Sequence, residues 1–535
     1  MVNENTLSPS IETLKTLLEY YQNNQLNKAE TLAISITKEY PLNQFAWKVL
    51  GAILKQTGRI TDSLTYMRKS LELNPKDPEA HNNIGVIFQE LGKLADAKKS
   101  FTQAILLEPN YIEALKNLGN TYKDQGNFKK AIIAYDKAIL INPKDAEAHY
   151  NMGLSFKLIG KLEEALLSYT QAIKLNPNYA EAYNNLANIL QDKGKTDDAI
   201  KAYRKSIELK SEFAKAHHNL SFALLNCGRF REGLDKYEWR WKRTKFQSQQ
   251  RTFLQSMWDG KERLNGKKIL LWSEQGIGDT IMWASRLSLV VSQAKHCILE
   301  CQEKLVSLLE RSFPNIEIKP KNSNKDLERD DFDFHLPMGS LYKNFAKEIL
   351  QNTKVEAYLV PDPNRVKYWK ERLSYIGNGP YIGISWKSSN MSSNRIQNYS
   401  SISDWSPILT IPNITFINLQ NKNFTDDLND IKKDFGVTIH NFDDLDHFNN
   451  IDDVAALCSA LDMVVSTKTT VPLISAGVGT ITKLANWRQS SWNNILLNPN
   501  GPSVDIFERD TWEPWENVFN SIAEDILHIT KNWSK

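Results

Sequence analysis

A period of 34 residues runs through the first half of this chain and limits the folds that it can adopt. A glycine, a second small residue and a proline all recur at this step. The glycines are Gly58, Gly92, Gly126, Gly160, Gly194 and Gly228, and the prolines are Pro41, Pro75, Pro109, Pro143 and Pro177. Such a period is typical of helical pairs that stack into an array, because one pair alone cannot bury its apolar face. The sequence therefore predicts an all-α array over residues 10–245 with about seven repeats.

Each recurring position has a physical role. A small residue at Gly85 and its equivalents lets the two helices of a pair approach closely, and Gly92 ends the first helix with a left-handed turn. A residue that precedes proline, such as Glu108, stops the second helix. The pattern resembles the tetratricopeptide repeat. This resemblance implies a right-handed superhelix with a concave groove that takes a protein or peptide partner.

One position in the first helix of the pair is asparagine in five consecutive repeats. These residues are Asn83, Asn117, Asn151, Asn185 and Asn219. A primary amide both donates and accepts hydrogen bonds, so a row of amides could grip an extended peptide backbone without regard to its sequence. The row resembles the asparagine ladder in the repeat domain of O-linked N-acetylglucosamine transferases. The alternative is that asparagine is simply common at this position of the repeat.

The second half of the chain has a different pattern. A basic, tryptophan-rich stretch precedes it, and we predict a linker over residues 246–266. Short apolar runs then alternate with helical stretches, which predicts two parallel α/β lobes over residues 267–360 and 380–535. A polar, proline-containing linker over residues 361–379 is expected between them. Lobes of this kind bind ligands beyond the carboxyl ends of their strands.

Four segments of the second half carry a resemblance: WSEQGIGDTIMWASRL, YIGISWKSSN, ITFINLQ and ALDMVVSTKTTVPLISAGVG. Their order is similar to that of the heptosyltransferase-like (family 9) glycosyltransferases of the GT-B fold. The similarity is strongest to the bacterial subgroup that carries this domain behind tetratricopeptide repeats. The resemblance implies inverting, metal-independent transfer of a sugar to an acceptor hydroxyl. It also implies that the first lobe faces the acceptor, and that the second binds a nucleotide-sugar as substrate, with no cofactor.

Three interpretations of the whole chain stay open. In the first, the repeats recruit a protein acceptor for the transferase. In the second, the transferase domain is catalytically inactive and the chain is a scaffold for protein assembly. In the third, the acceptor is a glycan of the cell envelope and the repeats bind a protein partner.

Two carboxylates are candidates for the catalytic base. Gly276, Gly278 and Asp279 lie between a strand and a helix, where glycines allow a substrate to approach the backbone. The resemblance assigns to Asp279 the removal of a proton from the acceptor hydroxyl. The alternative is that Asp279 only caps the helix. Glu274, at the end of the same strand, is the second candidate.

The donor diphosphate has a separate set of candidates. By resemblance, Thr469, Thr470 and the backbone before Val471 would cradle the phosphates, with Lys468 adding positive charge. Lys387 and Arg395 are further cations that could stabilise a departing nucleoside diphosphate. Gln420, at the end of a strand, could contact the nucleotide or the sugar.

Three positions depart from the pattern of the family. Lys468 stands where heptosyltransferases usually carry aspartate, and Leu473 where they carry histidine. Around Asn398 the sequence reads NYSSI, whereas the repeat-fused subgroup has Arg-Ser-Ile. These departures put heptose as the donor sugar in doubt, and they favour the scaffold interpretation.

Composition narrows the remaining function classes. With 66 basic and 63 acidic residues, the net charge of +3 on 535 residues gives no reason to expect a nucleic-acid partner. No apolar run approaches the length that spans a bilayer, no signal peptide is recognisable, and the four cysteines do not suggest a disulfide framework. A cytoplasmic protein is expected. The triplets Asp331-Phe332-Asp333 and Asp444-Leu445-Asp446 imitate a metal-binding DxD motif, but that motif belongs to a different fold, and no metal is expected.

Overall fold

The computed structural model of the protein describes residues 8–247, 249–322, 326–351, 356–388, 399–422, 424–487, 504–509 and 513–533. The chain divides into two compact units. The first comprises Met1–Ile189 with Glu208–Lys210, and the second comprises Leu190–Ile207 with Ser211–Lys535.

The first part of the chain is all-helical, as its period predicts. Two helices follow one another in every repeat. In chain order they are α1 (Ile11–Gln22), α2 (Leu26–Glu39), α3 (Gln44–Gln56), α4 (Ile60–Leu73), α5 (Pro78–Glu90), α6 (Leu94–Leu107), α7 (Ile112–Asp124), α8 (Phe128–Ile141), α9 (Ala146–Leu158), α10 (Leu162–Leu175), α11 (Ala180–Asp192), α12 (Thr196–Leu209), α13 (Ala214–Asn226) and α14 (Phe230–Tyr237). Helix α6 ends just before the Glu108-Pro109 pair, which confirms the predicted stop signal.

The recurring small residues are required by packing within each repeat. A Cβ atom at Gly85 would lie 2.5 Å from Cε1 of Phe101, and one at Gly119 would lie 2.6 Å from Cε1 of Tyr135. Both aromatic rings are fully buried. The turn glycines are equally constrained, since Gly92 has a φ of +70° that residues with a side chain rarely adopt. The helical pair is therefore closed by contacts between residues of the same repeat.

The second unit contains two parallel sheets. A short helix, α15 (Thr244–Gln247), precedes the first sheet. The strands of that sheet are β1 (Lys268–Trp272), β2 (His296–Cys301), β3 (Glu317–Pro320) and β4 (Phe334–Pro337). Their spatial order is β3-β2-β1-β4. The helices of this lobe are α16 (Ile277–Ala284), α17 (Leu287–Val291), α18 (Val306–Ser312), α19 (Leu341–Asn344) and α20 (Ala346–Gln351).

The second sheet is wider. It contains β5 (Tyr381–Ser385), β6 (Thr415–Asn418), β7 (Ile439–His440), β8 (Met463–Ser466), β9 (Ile481–Trp487) and β10 (Val504–Arg509), in the spatial order β10-β9-β8-β5-β6-β7. Its helices, together with one that precedes it, are α21 (Pro363–Ser374), α22 (Ser406–Leu409), α23 (Thr425–Phe435), α24 (Ile451–Ala460), α25 (Val471–Gly477) and α26 (Glu516–Trp533). Both sheets agree with the predicted α/β lobes.

Residues 361–379, predicted as a linker between the lobes, contain α21. Trp369 and Leu373 of this helix are fully buried, and Trp369 Nε1 donates a hydrogen bond of 2.7 Å to Asp453 Oδ1 on α24. The segment between the sheets is therefore packed on the second lobe.

No helix in the described part of the chain combines the length and the apolar character that a membrane span requires.

Candidate functional site

Each sheet has a point where the chain changes direction between two neighbouring strands. In the second sheet this point lies between β5 and β8, because β6 and β7 extend to one side and β9 and β10 to the other. Ser385 at the end of β5 pairs in register with Ser466 at the end of β8. A crevice beyond such a point is the usual ligand site of a doubly wound sheet. We call it the second crevice.

A cavity of about 200 Å³ opens beside the second crevice, and we call it the cleft cavity. It is lined by residues that follow β5, β6, β7 and β8, together with Ile277 from the first lobe. The lining residues are Ile277, Ser385, Lys387, Ser388, Leu419, Asn421, His447, Phe448, Ile451, Val454, Thr469, Thr470, Val471 and Ile474. Of the predicted donor-binding residues, Lys387, Thr469 and Thr470 lie together on this wall.

The two threonines hold the turn between β8 and α25. Thr469 Oγ1 lies 3.4 Å from Ser385 Oγ and accepts a hydrogen bond of 3.3 Å from the Val471 N–H. The next residue, Pro472, has no N–H, and the Leu473 N–H donates to the Thr470 carbonyl at 3.1 Å. The N–H groups of Val471 and Leu473 therefore bind within the turn and the first helical turn, and the predicted role of the backbone before Val471 stays a prediction. The threonine hydroxyls stay as candidate ligands.

The three cations predicted to bind the diphosphate are Lys387, Lys468 and Arg395, and the structure describes the first two. The Lys387 ammonium forms an ion pair with Asp427 of α23, whose carboxylate also accepts a hydrogen bond of 2.7 Å from Trp386 Nε1. A phosphate at Lys387 would have to compete with that carboxylate. The Lys468 carbonyl accepts a hydrogen bond of 3.2 Å from the Tyr399 hydroxyl, and its side chain is not among the described residues that line the cleft cavity. Arg395 and Asn398 lie outside the described residues.

Gln420 has a structural task. Its side chain is 1% exposed, and Oε1 accepts hydrogen bonds from the N–H groups of Trp386 and Lys387 at 3.2 and 3.1 Å. Nε2 donates to the Lys387 carbonyl at 2.7 Å. The amide thus fixes the loop after β5, and it orients Lys387 instead of contacting a ligand as predicted.

In the first lobe, the Gly-Ile-Gly-Asp segment forms the start of α16. The helix begins at Ile277 with Gly276 as its N-cap, so Asp279 lies in the first turn and is not the N-cap residue that the capping alternative predicts. The Asp279 carboxylate accepts a hydrogen bond of 3.2 Å from the Gly276 N–H, and its side chain is partly exposed. Gly278 faces the other lobe, since a Cβ atom there would lie 3.2 Å from Leu473 Cδ1 and 3.4 Å from Thr470 Oγ1. The candidate residues of both lobes therefore meet at one place, with Asp279 next to that contact in the chain.

Glu274 lies away from the cleft cavity. It is 2% exposed, and Oε1 accepts hydrogen bonds from the Gly339 N–H at 3.0 Å and from Arg240 Nη2 at 3.2 Å. Burial raises the pKa of this carboxyl to about 7, although the Arg240 guanidinium lowers it. A substrate cannot reach the buried Glu274 carboxylate. The prediction that Glu274 could be the catalytic base is therefore wrong.

Arg240 explains why Glu274 is buried. Its guanidinium is fully buried, lies 4.6 Å from the ring centroids of Tyr237 and Trp241, and donates to Glu238 and to Ser340 Oγ at 2.6 and 2.7 Å. Since Glu274 follows β1 and Gly339 follows β4, this cluster fills the space where the chain of the first sheet changes direction. We call that space the first crevice.

One residue of the cleft cavity was missed by the sequence analysis. His447 lies in the segment DDLDHF, which reads as a loop of solvated charge. The structure buries its ring to 8% exposure, and burial lowers the pKa of the imidazole to about 4. The sequence did carry one sign of this residue: a single histidine stands in an acidic loop that leads into an apolar helix.

In each of the two triplets that imitate a DxD motif, one aspartate is paired with an arginine. Arg329 binds Asp331 at 2.7 and 2.8 Å, and Arg372 binds Asp444 at 2.5 Å. Within the described ranges, no three histidine, cysteine, aspartate or glutamate side chains form a group that could hold a metal ion.

In the repeats of the first unit, a groove of about 500 Å³ lies along α1, α3 and α5. Asn83 lines it, together with Tyr21, Phe45, Lys48 and Glu79. The floor is apolar and the rim carries both charges. A groove of this composition fits a peptide with apolar and charged side chains.

The asparagine row is more embedded than predicted. Asn151 and Asn185 are 7% and 5% exposed, whereas Asn83 and Asn117 are half-buried. The amides link the first helices of neighbouring repeats, because Asn117 Nδ2 donates to Asn82 Oδ1 and Asn185 Nδ2 donates to the Tyr150 hydroxyl, both at 3.0 Å. Asn219 is half-buried on α13 in the second unit. The buried amides stabilise the array, and direct peptide contact stays a prediction for the more accessible ones.

Comparison with known families supports the repeats. Tetratricopeptide-repeat patterns match residues 46–77, 78–111, 119–160, 155–194 and 180–213. The chain therefore carries tetratricopeptide repeats, which indicate protein–protein interaction.

One curated protein and several solved structures are similar to parts of this chain. The chain is 29% identical over 312 residues to Protein FlbA of Caulobacter vibrioides, covering 55% of this chain and 52% of that protein. It thus matches about half the length of this relative. Among solved structures, MamA is 26% identical (31% of this chain and 97% of that chain, TM-score 0.29). YrrB, a TPR protein with an unusual peptide-binding site, is 20% identical (35% and 96%, TM-score 0.31), and pilF of Pseudomonas aeruginosa is 21% identical (39% and 97%, TM-score 0.35).

Proposed function

We propose that the α/β part of the chain is an inverting glycosyltransferase of the GT-B type, and that the repeats recruit its protein acceptor. One observation carries the proposal. The Gly-Ile-Gly-Asp segment of the first lobe and the Thr469-Thr470 turn of the second meet beside one cavity, with Gly278 against Thr470. Sequence resemblance selects these same two segments as the acceptor and donor sides.

The chemistry divides between the two lobes. The Asp279 carboxylate takes the proton of an acceptor hydroxyl, whose oxygen forms a bond to the anomeric carbon of the donor sugar. The bond from that carbon to the phosphate oxygen breaks, and the nucleoside diphosphate leaves with the electron pair. Lys387 and the hydroxyls of Thr469 and Thr470 stabilise the charge that develops on the leaving group.

Nucleoside diphosphate release tests the proposal. The full chain is incubated with ADP-, UDP-, GDP- and dTDP-sugars, and slow hydrolysis of one donor is expected. Asp279→Asn should lower that rate by at least about 100-fold, in line with the loss of a general base. The asparagine can still accept the Gly276 hydrogen bond, so folding should survive. Asp434→Asn, which removes an exposed carboxylate on α23, is the matched control and should leave the rate unchanged.

A scaffold without catalysis is the second candidate, and two observations favour it. Leu473 packs against Gly278 where the resembled family carries histidine, and Lys387 is already paired with Asp427. Under this alternative no donor is hydrolysed and none raises the thermal unfolding temperature. Hydrolysis that Asp279→Asn leaves intact would contradict the assigned base.

A further inference from the structure

His447 is held in place by a rigid loop between β7 and α24. The Asp446 carboxylate accepts hydrogen bonds of 2.9 Å from the N–H groups of Phe448 and Asn449, and Asn450 caps α24 through the Asp453 N–H at 3.1 Å. The ring of His447 packs edge-on against Phe424, with centroids 6.4 Å apart. The imidazole therefore has a fixed position on the wall of the cleft cavity.

The imidazole is buried but lacks internal partners. Across the described part of the chain, neither Nδ1 nor Nε2 of His447 has a hydrogen-bond partner. Leaving both ring nitrogens unsatisfied in a buried site is costly, so such a group points to a molecule that binds there. Since its pKa is lowered to about 4, the ring is neutral at pH 7 and offers one donor and one acceptor.

The apolar residues of the same cavity indicate which kind of ligand could bind beside His447. Leu419, Ile451 and Val454 provide an apolar surface next to His447. Pockets for complete small molecules usually enclose roughly 300–1,000 Å³. The cleft cavity, at about 200 Å³, suits one flat ring of a larger ligand.

Two ammonium groups lie beside the same wall. The ammonium groups of Lys304 and Lys422 lie 3.9 and 4.0 Å from the ring centroid of Phe448, the residue after His447. Lys387 lines the cavity itself, and an anionic group there would exchange places with the Asp427 carboxylate that pairs with it. A ligand with a flat, hydrogen-bonding ring and an anionic tail matches this distribution.

We infer that His447 reads the base of a nucleoside diphosphate, donating and accepting hydrogen bonds at the edge of a nucleobase that lies on Leu419, Ile451 and Val454. This assignment rests on the proposed function and names the residue that selects the donor. The diphosphate extends from the base toward Lys387 and the two threonines. His447 is a specificity-determining residue and takes no part in bond formation.

Titration calorimetry on the full chain tests the inference. The probes are ADP, UDP, GDP and dTDP, together with inorganic pyrophosphate, which has no base. His447→Phe keeps the packing on Phe424 and removes both hydrogen bonds. It should weaken the tightest nucleoside diphosphate by at least about tenfold and leave pyrophosphate within about twofold. His447→Gln, which retains a donor and an acceptor, should recover part of the affinity and alter the ranking of the four bases.

A matched control is His335→Phe. His335 is also 8% exposed, lies on β4 of the first lobe, and is outside the cleft cavity. It should leave both ligands bound as in the wild type, and circular dichroism should show all variants folded. If His447→Phe, and His447→Gln with it, left nucleoside diphosphate affinity unchanged, the inference would fail and the proposed function would stand. An equal loss for pyrophosphate would also overturn it. Failure of the wild type to bind any of the four nucleotides would overturn both.

Discussion

The two α/β lobes share a topology and use it in opposite ways. In each sheet the chain changes direction beside its first strand, which leaves a crevice beyond the carboxyl ends of two neighbouring strands. The first crevice is filled by Glu274, Arg240 and Ser340, which bind one another out of contact with water. The second borders a cavity of about 200 Å³ lined by Lys387, Thr469 and Thr470. Polar groups thus converge at both crevices, and in the first one Arg240, from the segment that precedes the sheet, occupies the space that stays open beside the second.

Removal of the buried cation from the first crevice should have the largest effect on stability. Arg240→Met leaves the Glu238 and Glu274 carboxylates without their buried cation, and the free energy of unfolding should fall by about 3–5 kcal/mol. Denaturant unfolding of the full chain measures the change. Lys387→Met removes the same charge from the second crevice, where the ion pair is partly exposed, and should cost less than about 1 kcal/mol. Equal losses would show that the two crevices are not different.

The stability of both lobes should depend on pH, because each lobe buries one neutral histidine. Burial lowers the pKa of His335 and of His447 to about 4, whereas an unfolded histidine titrates near 6.5. As the pH falls through 6.5, the unfolded state takes up protons that the folded state does not. Stability that is present at pH 7 is therefore lost, by about 2 kcal/mol per histidine at pH 5.

The variants separate the two contributions. His335 has an internal partner, since its Nδ1 accepts a hydrogen bond of 3.3 Å from Trp272 Nε1, and His447 has none within the described residues. His335→Phe and His447→Phe should each reduce the loss of unfolding free energy between pH 7 and pH 5. If neither variant reduced it, the histidines would not be the buried neutral groups inferred above.

The smallest expected effect lies where the two lobes touch. Gly278→Ala places a methyl group 3.2 Å from Leu473 Cδ1, and the free energy of unfolding should fall by about 1 kcal/mol. At Gly276 the nearest atom to such a methyl group is Asp279 Oδ2, at 3.6 Å. Gly276→Ala should therefore be nearly neutral in the same denaturation experiment. A neutral Gly278→Ala would mean that the contact between the lobes is loose.

The helices and strands could be predicted from the sequence because their signals are local. Gly92 ends a helix through its own backbone, and Pro109 prevents its neighbour from continuing one. The apolar runs that became β1, β5 and β8 are each complete within a few residues. Periodicity therefore sufficed to recognise the repeats and the two parallel sheets.

The site was harder to predict because its chemistry depends on distant partners. Glu274 and Asp279 look alike in the sequence, as carboxylates after one strand. They differ because Gly339 and Arg240, far away in the chain, enclose Glu274. In the same way, Asp427 on α23 neutralises Lys387 in the loop after β5, and Phe424 packs on His447. None of these partners lies in a motif that points to the residue it contacts.

The closure of each helical pair by its own residues has a consequence for how such a protein can change. Since Phe101 packs on Gly85 and Tyr135 on Gly119, a repeat in the first unit brings its own internal packing with it. A duplication of 34 residues then adds one whole repeat, and a deletion of 34 residues removes one. Either change leaves the interior of the other repeats intact. The length of the array is thus adjustable in discrete steps of one repeat.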